Sequence, residues 1–236
     1  MGPSFAGGTR IFNRAGAEFK VTGDGDFFPR SATTTFLNEG TFTKSGAGTT
    51  DFLAGFFGGS FSAFILDNQG TLNLTGGDLV LRGGGSSTTP IQVQAGATLT
   101  LASDFSYAAG TSLSGAGTIQ FNSGTHDLTT GQFLPSGTVN FNGATVTIGN
   151  AIAPNSLGPF KGIVNFNADQ TLDSLTLQGT IGGSGNLALT GTSTLTSGGF
   201  GGAGQLIVPT GSTLNVPSGG QLNRVLDNQG KVNLGS

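Results

Sequence analysis

Thr118-Ile119-Gln120-Phe121-Asn122 returns twenty residues later as Thr138-Val139-Asn140-Phe141-Asn142, and twenty-five further on as Ile163-Val164-Asn165-Phe166-Asn167. Apolar residues occupy every second place in each string, the period of a half-buried strand. The alternation extends outward to Leu72 and Leu74, Leu79 and Leu81, Leu99 and Leu101, Val146 and Ile148, Leu187 and Leu189, and Leu214 and Val216. Gly, Ser, Asn and Asp fill the intervals, as turns require. No helical period competes with this pattern. A sandwich of hairpins would place a strand every 8 to 12 residues, with no reason for one five-residue string to recur at longer intervals. In a β-solenoid each coil lies on the previous one, about 4.8 Å away, so equivalent side chains stack. The spacing therefore predicts an all-β parallel solenoid, with Phe121, Phe141 and Phe166 as an internal aromatic stack. Asn122, Asn142 and Asn167 would form an amide ladder beside it. Roughly 22 residues per coil give about ten coils and a rod on the order of 50 Å long.

Two further repeats support this reading. Gly-x-Gly-polar-aliphatic occurs at Gly115 to Ile119, Gly183 to Leu187 and Gly202 to Leu206. An apolar residue followed by Asn and Gly occurs at Phe36-Leu37-Asn38-Glu39-Gly40, Leu66-Asp67-Asn68-Gln69-Gly70 and Leu226-Asp227-Asn228-Gln229-Gly230.

Composition agrees. The 236 residues include 44 Gly, nine basic and twelve acidic residues, and no Cys or Trp. So much Gly disfavours helices, at roughly 1 kcal/mol per interior position relative to Ala. Without a three-residue period it does not make collagen. A net charge of −3 offers no basic stripe for a phosphate backbone, so nucleic acid is not an expected partner. No apolar run is long enough for membrane insertion as a helix. Absent Cys removes disulfides, thiolate metal sites and thiol nucleophiles. The chain reads as one domain, residues 1–236, with charge concentrated in residues 1–51. Between Gly83 and Asn223 only Asp104, Asp127, Lys161, Asp169 and Asp173 are charged. Residues 51–66 hold Phe52, Phe56, Phe57, Phe61 and Phe64, which suggests a wider, bulky coil or a covering loop.

Phe36 to Gly46, Gly70-Thr71-Leu72-Asn73-Leu74-Thr75-Gly76-Gly77, Ala95-Gly96-Ala97-Thr98-Leu99-Thr100-Leu101 and Leu113-Ser114-Gly115-Ala116-Gly117-Thr118-Ile119 resemble the repeats of bacterial extracellular β-solenoid proteins, the adhesin-like and autotransporter-passenger-like arrays. The resemblance runs from about residue 10 onward. It implies a right-handed parallel β-helix, a place outside the cell or on its surface, and a stalk or adhesive role.

Candidate chemistry is sparse, and the expectation is no enzyme, cofactor or metal centre. The single His126, in Gly124-Thr125-His126-Asp127, reads as an exposed turn residue; Tyr107 is the single tyrosine. Asp127, Asp169 and Asp173 would serve polysaccharide hydrolysis only if two of them came within roughly 5 to 9 Å. Isolated solubilising charges are the plainer reading. Asp24-Gly25-Asp26 lacks the further oxygens that Ca²⁺ needs, so it reads as a turn. Gly199-Phe200-Gly201-Gly202-Ala203-Gly204 matches a dinucleotide fingerprint in spacing, yet a strand follows it, not a helix. The pairs Thr41/Thr43, Thr98/Thr100, Thr145/Thr147 and Thr194/Thr196 raise an ice-binding alternative, against ordinary strand preference. Val225 to Leu234 repeats Ile65 to Leu74, so the array pattern runs to the last residues. The expected partners are a second copy, joined as a homo-oligomer or end-to-end filament, and a surface glycan.

Overall fold

The structure, a computed structural model, describes residues 4–5, 8–30, 32–57, 59–153 and 156–235. Among these residues there is no helix, and the strands stack as a β-solenoid of about 11 turns. Each coil visits three faces. The first face is a sheet running from Arg10–Asn13 to Gln221–Leu222, and the third runs from Thr49–Phe52 to Lys231–Leu234. The second face runs from Glu18–Val21 to Gln132–Pro135 and resumes from Gln170–Asp173 to Val225–Asn228. Nearly all pairing is parallel and between successive coils, so backbone donors and acceptors on each face are met by the neighbouring turn.

Sequence alternation becomes the inside and outside of the rod. Leu79, Leu99, Ile119 and Val139 follow one another at the same register position and are buried, while Asp78, Thr98, Thr118 and Thr138 form the adjacent outward column. Thr suits such a position because its branched side chain packs along a pleated surface. Each buried Leu, Val or Phe contributes about 1.5–3 kcal/mol relative to exposure. Glycine sits where coils touch most closely. A Cβ on Gly137 would stand 2.0 Å from the Gly117 carbonyl, so the corner admits no side chain there.

The twenty-residue repeat is in register: Phe121 and Phe141 stack with centroids 5.6 Å apart and planes 7° apart. Phe166 does not continue that column. Phe160 does, 5.0 Å from Phe141, whereas Phe166 pairs with Ile148 on the first face. The cause is a shorter coil. Thr138 pairs with Ser156, a step of eighteen residues, and seven more residues carry the chain around a corner to Ile163. Asn167 consequently leaves the predicted ladder: Asn142 donates to Asn122 at 2.7 Å, and Asn167 instead accepts from the Ser184 amide at 3.3 Å.

The gap in the second face is bridged by side-chain amides. Asn150 accepts from Phe133 N at 3.0 Å and donates to Phe133 O at 2.8 Å; Gln170 accepts from Ile152 N at 2.9 Å and donates to Ile152 O at 2.7 Å. Each carboxamide stands in for the peptide group that a strand would have supplied.

The aromatic segment 51–66 divides. Phe52 and Phe64 enter the core beside Phe5, Phe27, Phe36 and Phe42, a cluster with neighbouring centroids at 4.8–6.2 Å. Ala54–Phe57 and the start of Ser60–Asn68 leave the coil as an antiparallel hairpin. The Phe57 side chain lies outside the described residues.

Candidate functional site

The three carboxylates do not form one constellation. Asp127 lies on the first face, where the Thr129 hydroxyl and amide bind it and hold its carboxyl below the ordinary value. Asp169 precedes the second-face strand Gln170–Asp173 and accepts from Asn186 N at 2.8 Å; Asp173 ends that strand and accepts from the Thr190 hydroxyl at 2.8 Å. Asp127 thus fastens its own turn, while Asp169 and Asp173 tie their coil to the next one. Asp173 lines an open groove of ≈ 240 Å³ with Leu157, Phe160 and Thr176, and Asp127 shares a shallow one of ≈ 380 Å³ with Asp104 and Thr125.

Asp24 is also a turn ligand, accepting from Thr49 N at 2.8 Å. Among the described residues no group of three His, Cys, Asp or Glu is placed to hold a metal ion. In the glycine string, Gly199–Phe200 is a strand and Gly201 to Gly204 turn the corner onto Gln205–Val208. The four Thr pairs fall on three faces and make no array, although Thr98, Thr118 and Thr138 do form a column.

The buried charged or titratable side chains among the described residues include Lys44, Asp51, Tyr107, His126 and Arg224. His126 is not in an exposed turn: it is wholly buried in the strand Thr125–Leu128, aligned with Phe105 and Val146. Gly124, with φ of 86°, makes the bend before the strand, while Thr125 and Asp127 on either side of the imidazole are strand residues facing outward. Lys44 is also inward, in line with Leu74, and reaches the corner to donate to Gly46 O at 3.2 Å. Burial lowers its ammonium pKa, against the opposing pull of Asp24 and Asp78. The inward Phe42 two places earlier carried this signal in the sequence. Arg224 crosses two coils, donating to Gly204 O at 2.9 Å, Gly183 O at 3.1 Å and Gly185 O at 2.7 Å. The Gly-x-Gly repeats thus build a carbonyl-lined slot for one guanidinium, whose own pKa burial lowers.

The surface offers apolar contact points. Phe56 is 80% exposed and Phe61 62% exposed, with their rings edge to face at 5.7 Å on the hairpin. Phe12 is half-exposed beneath the Arg14 guanidinium, 4.5 Å from its ring centroid, and Arg14 also pairs with Glu39 at 3.1 Å. On the last coil, Leu226 and Leu234 continue interior columns yet are 36% and 73% exposed.

Comparison with protein-family models, curated proteins and solved structures gave no match.

Proposed function

We propose that this chain is a structural or adhesive rod of a bacterial cell-surface or secreted protein, acting by extension and surface contact and not by catalysis. The supporting observation is the coil-to-coil pairing that runs unbroken along the first and third faces and resumes on the second after its gap, combined with carboxylates that are engaged in local and coil-to-coil hydrogen bonds. Such a rod lengthens by one coil spacing per repeat. The extracellular placement rests on the resemblance of the Gly-Thr-Leu and Gly-Ala-Gly-Thr repeats to adhesin-like arrays.

The exposed pair Phe56 and Phe61 supplies the adhesive surface in this reading, since apolar patches held away from a core mark interaction sites. Sugar rings present C–H faces that stack on such aromatic rings, so a surface glycan is the proposed ligand. A panel of immobilised neutral polysaccharides tests this with the intact chain and the Phe56→Ser/Phe61→Ser variant. Retention of the intact chain with at least tenfold weaker retention of the variant supports adhesion through the hairpin; equal retention, or none by either, removes it.

End-to-end association is the second element, favoured by coils that pair edge to edge in parallel along the rod, a pairing that can also join two copies. Sedimentation should show mass increasing with concentration, and Leu226→Lys/Leu234→Lys should abolish the increase. A concentration-independent monomer would refute it.

A further inference from the structure

His126 is the one histidine of the chain, and its place in the first-face column is held in nearby coils by Leu66, Gly85, Phe105, Val146, Val164 and Ile181. Its Nε2 lies 3.0 Å from Ser123 O. A carbonyl only accepts, so in the neutral ring Nε2 carries the hydrogen and Nδ1 presents a bare lone pair. That Nδ1 is buried without a partner, as is the Tyr107 hydroxyl. Phe121 meets the imidazole edge-on at 5.0 Å, and the Tyr107 ring is 6.5 Å away.

Protonation would place a new N–H on Nδ1 with no acceptor and a positive charge in an apolar column. Burial holds the imidazole below its ordinary pKa, with Ser123 O and Asp104 pulling the other way. Asp104, which precedes the strand Phe105–Tyr107, is engaged with Thr125 N at 2.8 Å, and Asp127 on the histidine's own strand points outward to Thr129. Tyr107 is the remaining titratable group on that neighbouring strand, and burial raises its pKa, keeping it neutral. The adjoining strands Thr118–Ser123 and Thr145–Ile148 contain no titratable side chain.

We propose that His126 is an acid-sensitive latch in the middle of the rod: one proton taken up at Nδ1 opens the coil containing Thr125–Leu128 while distant coils stay folded. Local opening is natural in a solenoid, where each coil is held by its neighbours. An opened coil releases the proton-accepting ring to water, where it titrates near pH 6.5. The closed ring binds its proton only at lower pH, so the open form binds more protons and stability falls as pH falls below about 6.5. Above that value the contribution of the neutral ring is fully present. Ordinary aspartates titrate lower, near 3.9, and Asp51, whose carboxyl burial raises, lies on the strand Thr49–Phe52 of the third face, away from the coil that contains His126.

Amide exchange of the full chain between pH 7.5 and 5, corrected for intrinsic chemistry, tests the latch. The strands Phe105–Tyr107, Thr125–Leu128 and Thr145–Ile148 should lose protection by up to about tenfold per pH unit below 6.5, with Thr41–Lys44 and Thr192–Leu195 unchanged. His126→Phe, shaped like its neighbour Phe105, should remove the acceleration. Equal acceleration in both proteins would overturn the proposal. NMR titration of the single imidazole in the unaltered chain decides independently if that variant misfolds: a midpoint below the ordinary range, coincident with opening, supports the latch, and an ordinary midpoint with protection intact refutes it.

Discussion

Asn38 shows how one side chain joins coils. It accepts from Asn13 at 2.7 Å, donates to Asn68 at 2.7 Å and donates to Thr71 O at 2.9 Å, and all three asparagines are buried. Asn68 passes the chain on to Ser87 at 2.8 Å. Asn38→Ala leaves buried partners unmet on both sides and should cost roughly 3 kcal/mol, read as a lower urea midpoint. Phe64→Ala, in the core, should cost about 3–5 kcal/mol, whereas Phe61→Ser on the hairpin should stay within about 0.5 kcal/mol. The Asn-x-Gly repeat was visible in the sequence, and for Asn38 and Asn68 it marks stacked amides. Asn228 carries the same letters but lies on another face, in line with the inward Val208 and not with another asparagine, and is exposed with the rest of the last coil, because the repeat encodes a turn and not the face that follows it. His126 was misread for a related reason: Gly124 and Asp127 are turn formers, and only the strand period identifies the inward place between them.

At the scale of the coil, corner length was the hidden variable. Inside-outside alternation is identical on all three faces, so it could not tell that Phe166 had moved from the third face to the first. Residues 138 to 156 span one coil with fewer residues than its predecessors, and the compensating Asn150 and Gln170 contacts are side-chain interactions with no periodic signature. The Arg224 slot was half legible: the glycine repeats were plain, while their guanidinium occupant lay one coil beyond. Arg224→Ala should remove about 1.5–3 kcal/mol of charge-assisted bonding. Exchange should increase in Gln205–Val208 and Val225–Asn228 and leave the N-terminal coils protected. Arg224→Lys should rescue only part of this, since an ammonium lacks the planar fork that reaches three carbonyls. A Cβ on Gly204 would meet Gly185 O at 1.9 Å and the Arg224 guanidinium at 2.6 Å, so Gly204→Ala should disrupt the same corner.

For the whole molecule, repetition made the solenoid legible. About 11 turns at roughly 4.8 Å give a rod near 50 Å, close to the length expected from the repeat alone. Function by extension depends on that length, so it is the quantity to measure. Thr49 and Lys231 are exposed outward positions on the third face, separated by nine strand steps, and the chain contains no cysteine to interfere with labelling. Spin labels on Thr49→Cys/Lys231→Cys should give, by pulsed electron resonance, a single narrow distance distribution centred about 43 Å apart. A distribution centred below about 30 Å, the signature of a chain folded back on itself, would contradict the stacked rod.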